Sequence, residues 1–202
     1  MSPTPIPRRA LFLSLFPLLL ASAAAADPVE AKVSAIRALY NEIEGAELRT
    51  KRIEFESQDE PLSGTCTLHY RGDELVKIHL AYGFGDHGAS DEYHYYDRGS
   101  LFFVYASDGS WGFTGETLPN GESETIDSVT EHRLYLGDGT ILRHLEKKAS
   151  SKNPASLKGL LAKAANSPAQ DASRGIQLVR HGQRAIAIRD AAGAIAALTA
   201  PE

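Results

Sequence analysis

The 202-residue chain carries 21 Lys and Arg against 26 Asp and Glu, a net charge of −5. That balance argues against nucleic acid as a partner, which would call for a basic surface. A single cysteine excludes an intramolecular disulfide, so the fold has to rest on its core alone.

Residues 1–26 stand apart from the rest: Arg8 and Arg9, an apolar run from Ala10 to Ala21, then small residues ending in Ala24, Ala25 and Ala26. This is the pattern of a secretory signal peptide cleaved near Ala26, which predicts a periplasmic or secreted protein beginning at Asp27. The apolar run is shorter than the roughly 20 residues a spanning helix needs, and no later stretch approaches that length, so no membrane span is expected. No cysteine adjoins the cut, so the ending of a lipid-anchored lipoprotein is absent. Two of the 21 basic residues leave with the signal and all 26 acids stay, giving −7 for residues 27–202. That length suits a single domain with a substantial core.

Pro28 to Glu44 reads as an amphipathic helix, with Val29, Val33, Ile36, Leu39, Tyr40 and Ile43 on one stripe. Asp27-Pro28 opens it and Gly45 closes it. From Glu47 the period changes to two. Four segments then read strand, glycine turn, strand: 67–78, 93–104, 133–144 and 176–188, with turns at Gly72, Gly99, Gly139 and Gly182. In the second, a three-residue turn Asp97-Arg98-Gly99 would set Tyr95 opposite Leu101 and Tyr93 opposite Phe103. Tyr93, Tyr95, Leu101, Phe103 and Tyr105 would then share an apolar face, with His94 among polar neighbours on the other.

Residues 107–130 read as a connection that interrupts the meander, with turns at Asp108-Gly109 and Pro119-Asn120-Gly121. Residues 149–173 read as a second connection holding a short helix between Pro154 and Asn166-Ser167-Pro168. All 14 aromatics of the mature chain precede residue 137, while residues 151–202 carry 14 alanines, so this Ala-rich part is expected to continue the sheet thinly or form an appendage. The predicted fold class is α+β: an N-terminal amphipathic helix on a twisted antiparallel meander of about 8–10 strands, with a short helix before the last hairpins.

The helix-then-hairpins order, with Y-Y-D-R-G-S-L-F-F-V at 95–104 and L-Y-L-G-D-G-T-I-L-R-H-L at 134–145, resembles a group of uncharacterised exported bacterial proteins, many of them lipoproteins. The resemblance covers roughly residues 30–165 and implies a fold and a compartment but no activity. The chain departs from that group in lacking the lipid-carrying cysteine and in its Ala-rich end.

Gly83 to Gly88 matches G-x-G-x-x-G, but Ala89-Ser90-Asp91 leads into a strand where a dinucleotide site needs a helix, so no cofactor is expected. Asp86, His87, Asp91, Glu92 and His94 offer oxygen and imidazole ligands that could gather round a divalent cation, or serve a hydrolase. They sit in a glycine-rich loop that would first have to be ordered, so the expectation is that they hold no metal. Register alone sets His132 opposite His144, a pair that could ligate a metal or titrate together, and Cys66 opposite His79, the residue types of a thiol nucleophile and its base. Cys66 reads more simply as a buried apolar residue. Charge is ordered along the chain: ten acids and one base between Ile78 and His132, then eleven bases and three acids from Arg133 to Arg189. The two segments could offset each other within one sheet. Otherwise the basic end is a surface for an anionic envelope component, with Arg180 and Arg184, near the last turn, as the contacts. The leading functional expectation is an exported, non-catalytic envelope binding module of unknown partner. The alternatives are a carrier of an apolar ligand and a hydrolase built on the Asp86–His94 cluster.

Overall fold

The computed structural model describes residues 27–201, so the expected signal peptide and its expected cleavage site lie outside the described residues. Helix α1 (Pro28–Glu44) starts where the sequence places it: Asp27 accepts a hydrogen bond from the Val29 amide at 2.9 Å, and Pro28 takes the first turn, where a missing N–H costs nothing. Seven strands follow, β1 (Arg49–Glu56), β2 (Leu62–Arg71), β3 (Glu74–Phe84), β4 (Gly88–Asp97), β5 (Ser100–Thr117), β6 (Ser123–Gly137) and β7 (Thr140–Ser151). Then come α2 (Pro154–Lys163), the two-residue β8 (Ser167–Pro168), α3 (Ser173–Ala185) and α4 (Ala191–Thr199). All eight strands form one antiparallel sheet in chain order, the meander that the period-two pattern predicts. Among the described residues no helix is long and apolar enough to cross a membrane.

Each face of the sheet is covered by helix. On the first, Val33, Ile36 and Ile43 of α1 bury against Val76, Tyr95, Phe103 and Tyr135, and the Phe103 ring packs edge-on to Tyr40 with centroids 5.3 Å apart. On the second, α3 and α4 cover the rows that alternate with these. Ala185, Ile188, Ala194 and Ala197 pack on Leu68, Ile78 and Leu80, while Leu178 and Val179 pack on Val104, Ala106 and Leu134. The alanines of the C-terminal part are therefore the small side chains that let two helices lie close on a sheet.

Three expectations are corrected. Residues 176–188 are not a hairpin: α3 buries Gly175, Leu178, Val179, Gly182 and Ala185, which is helical spacing, and two of those positions are glycines, of which Gly182 reads as a turn signal. The 93–104 hairpin turns on two residues, Arg98 and Gly99, both at positive φ (47° and 79°) as a type I′ turn requires. A bulge beside Tyr95 and Tyr96 absorbs Phe102, so Tyr95 pairs with Phe103 and Tyr93 with Tyr105, while Leu101 passes to the second face under Gly182. Residues 107–130 do not interrupt the meander, because β5 and β6 run straight through them and turn only at Leu118–Glu122.

Candidate functional site

The second face is apolar on β1–β3 and mixed on β4–β7, where polar side chains lie among Val104, Ala106 and Leu134. Alternation brings Ser90, Glu92 and His94 of β4, Asp108 of β5, His132 of β6, and His144 and Glu146 of β7 into one row of neighbours beneath α3. From α3, Arg174 and His181 reach down into it. Arg174 lies in the first turn of its helix, where the dipole disfavours a cation, so its place there depends on the carboxylates below.

Glu92 is fully buried and accepts from four side chains: Tyr82 Oη at 2.6 Å, Arg174 Nη2 at 2.9 Å, His94 Nε2 at 3.0 Å and His181 Nδ1 at 3.1 Å. A carboxylate only accepts, so each ring nitrogen that faces it carries the proton. Burial alone would push the Glu92 carboxyl up, but the hydrogen bonds from His181 and His94 outweigh it and hold the group well below the usual carboxylate range. Asp108 behaves alike: burial raises it, while hydrogen bonds from His132 and Arg174 carry it below its ordinary value. Arg174 binds Asp108 in a fork, Nε to Oδ2 and Nη2 to Oδ1, each at 2.7 Å, and also donates to Ser90 Oγ at 3.1 Å. Ser90 Oγ in turn donates to Asp108 at 2.6 Å. The His94 Nδ1 lone pair, with no hydrogen-bond partner, faces Gly182.

Two helix glycines make this approach possible. A Cβ on Gly182 would come within 2.6 Å of His94 Nδ1 and 2.8 Å of Leu101, and one on Gly175 within 2.8 Å of His144 Nδ1. In an exposed helix, Gly→Ala gains about 1 kcal/mol. Here Gly182→Ala should instead destabilise by about 1–3 kcal/mol, the cost of overpacking. Urea melts of the two proteins give the sign, and a gain in stability would mean that α3 does not lie this close to β4.

Beside the network, where α3 and α4 leave the far ends of β3, β5 and β6 uncovered, a cavity of about 670 Å³ opens. Arg174 and Asp108 form part of its floor, each with about a fifth of its side chain exposed. Leu62, Phe84 and Leu198 give it an apolar side, and Ser110, Thr130 and Gln177 a polar one. Phe84 is 48% exposed, much for so large an apolar side chain.

The residues singled out from sequence are scattered. Asp91 meets His79 Nε2 at 2.9 Å on the first face, His87 lies against Trp111 with centroids 3.9 Å apart and the rings tilted by 39°, the Asp86 carbonyl accepts from Trp111 Nε1, and His94 is buried on the second face. The Asp86–His94 cluster therefore does not assemble: alternation sends Asp91 and His94 to opposite faces. His94 itself is in the core network and not among solvated polar groups. Cys66 pairs with Leu80, not His79, and burial pushes its thiol up to about 12, so it serves as an apolar residue. His132 lies opposite Glu146, two residues from the expected register, yet its Nδ1 still reaches His144 Nε2 diagonally at 3.1 Å. Arg180 and Arg184 sit half-buried on α3, not at a hairpin tip, and Arg184 donates to the carbonyls of Ala200 and Pro201 at 2.8 Å, closing the end of α4. Much of the charge order is internal complementarity, as in Arg174 with Glu92 and Asp108, and Lys152 with Glu124 at 2.6 Å.

Comparison of the chain with known protein families, with curated proteins and with solved structures finds no match. What the protein does has to be read from these residues.

Proposed function

We propose that this is an exported envelope protein that binds a small amphipathic ligand without altering it, in the cavity beside Arg174 and Asp108. The observation that carries the reading is the coupling of an open, mixed-polarity cavity to a floor of charges that satisfy one another. Glu92, Asp108 and Arg174 are mutually paired and hydrogen-bonded, so the floor is rigid before anything binds, and a preorganised site loses little on ordering. Because the Arg174 and Asp108 charges offset each other, the group that meets them is neutral and hydrogen-bonding, and the apolar body of the ligand lies along Phe84, Leu62 and Leu198. An anionic partner held by Arg180 and Arg184 has less support, since Arg184 already serves the α4 carbonyls. A hydrolase built on Asp86, His87, Asp91 and His94 has none, because those side chains do not converge.

Ser110 is exposed at the cavity and shares the second face with Asp108, so Ser110→Trp would fill the site from a strand without touching the network. A ligand present at a hundred times its dissociation constant adds about 2.7 kcal/mol, which in a domain of this size raises the melting temperature by roughly 5–10 °C. In a thermal-shift screen of neutral amphipaths such as alkyl glycosides and acyl amides, wild type should show such a rise and Ser110→Trp should not, with the two unliganded melts alike. Equal shifts in both proteins would place binding elsewhere.

A further inference from the structure

Three side chains next to the network are arranged in a way that the ligand cavity does not explain. His132 Nε2 lies 3.3 Å from Asp108 Oδ2, and since the carboxylate only accepts, that nitrogen carries the proton. In the neutral ring, Nδ1 is then a bare lone pair. It points at His144 Nε2, 3.1 Å away, and at Glu146 Oε1, 3.6 Å away, and the donor atoms of the three residues all lie within 4.8 Å of one another. A proton on His144 Nε2 makes the first contact a hydrogen bond; with that proton on Nδ1 instead, three lone pairs converge on one point, which is where a cation would sit.

We propose that His132 Nδ1, His144 Nε2 and Glu146 Oε1 form a site for a divalent transition metal, Zn²⁺ foremost. Tetrahedral Zn²⁺ with bonds of about 2.0–2.1 Å sets its ligands about 3.3–3.4 Å apart, close to both separations from His132. Two imidazoles and a carboxylate are the donor set of a borderline cation, not of Mg²⁺ or Ca²⁺. Three ligands leave a fourth position for water. The surroundings match what such sites need: Asp108 orients His132 through its other ring nitrogen, and Lys148 holds Glu146 Oε2 at 2.6 Å, which leaves Oε1 to the metal. His144 and Glu146 are two apart on β7, and His132 lies opposite Glu146 on β6, so paired strands fix all three. Gly175 of α3 comes down against the His144 ring, where no side chain could fit.

The test uses the exported protein stripped with chelator and titrated calorimetrically with Zn²⁺, with Co²⁺ as an absorbing reporter. The site predicts one equivalent bound and a visible Co²⁺ band of tetrahedral strength. Affinity should fall at least about tenfold in the near-isosteric Glu146→Gln and about a hundredfold in His144→Ala, with His87→Ala unchanged. Far-UV circular dichroism of each variant confirms that the sheet is intact, and Glu146→Gln, which removes no volume, carries the test if His144→Ala does not fold. Absence of a one-equivalent event in wild type, affinity unaltered in Glu146→Gln, or loss of binding in His87→Ala would each overturn the proposal.

Discussion

Glu92→Gln should destabilise the fold by about 3–5 kcal/mol at neutral pH, the usual cost of removing one partner from a buried, hydrogen-bonded charge network. The amide keeps the shape but turns an N–H group toward donors, and it removes the charge that Arg174, His94 and His181 share. The same residue gives the stability a pH signature. Glu92 and Asp108 both sit below their ordinary values in the fold, so their stabilisation is fully present above the unfolded carboxylate range and is lost as pH falls through about 4 and below. Wild-type stability from urea melts should therefore hold nearly level, as far as these two groups govern it, down to about pH 5 and drop steeply below 4. Glu92→Gln should start lower and fall less steeply. A loss under 1 kcal/mol, or identical acid slopes, would mean that the carboxylate is not held as described.

Phe103→Ala should cost about 3–5 kcal/mol, the range for an aromatic removed from a packed core. Phe103 is buried at the centre of the first face, with ring centroids at 5.1 Å to Tyr135, 5.3 Å to Tyr40 and 5.6 Å to Tyr95. Phe84→Ala is the matched control: the ring is as large but half-exposed at the cavity, and its removal should cost about 1 kcal/mol or less. Similar losses in the two variants, read from urea midpoints at constant slope, would contradict the placement of the core under α1.

The parts of this fold legible in the sequence are those set by local periodicity. The α1 stripe, the two-residue alternation of β2–β7 and the turn glycines at 72, 99 and 139 needed no tertiary information, and Gly72, Gly99 and Gly139 all adopt positive φ. The short helix α2 was legible from Pro154 and Asn166-Ser167-Pro168, but α3 was not, because it buries glycines where a pattern search looks for large apolar residues. Only contact with His94, Leu101 and His144 explains why those positions are small. The site was hidden for a related reason. Its members come from different strands, as close along the chain as the 12 residues from His132 to His144, and from a helix whose Arg174 lies 66 residues beyond Asp108 and 82 beyond Glu92, and Glu92 and His94 read as a solvated row because the opposite row of tyrosines is so apolar. One signal was present: Ser90, Glu92 and His94 alternate with the buried Tyr95 row at the centre of a long meander, where a second face is rarely left to water once helices follow the sheet. The acid-then-base order of the chain was a second trace of it, since Arg174 comes from the basic segment and its carboxylates from the acidic one.

The account rests most heavily on the cavity beside Arg174 and Asp108 being a binding site. Gentle purification of the protein from the cells that make it, followed by native mass spectrometry, tests this directly. Wild type should carry one small neutral amphipathic molecule per chain, and Ser110→Trp, produced and folded to the same extent, should carry none. Recovery of both proteins with the same bound species, or of wild type bare under conditions that preserve weak complexes, would contradict it.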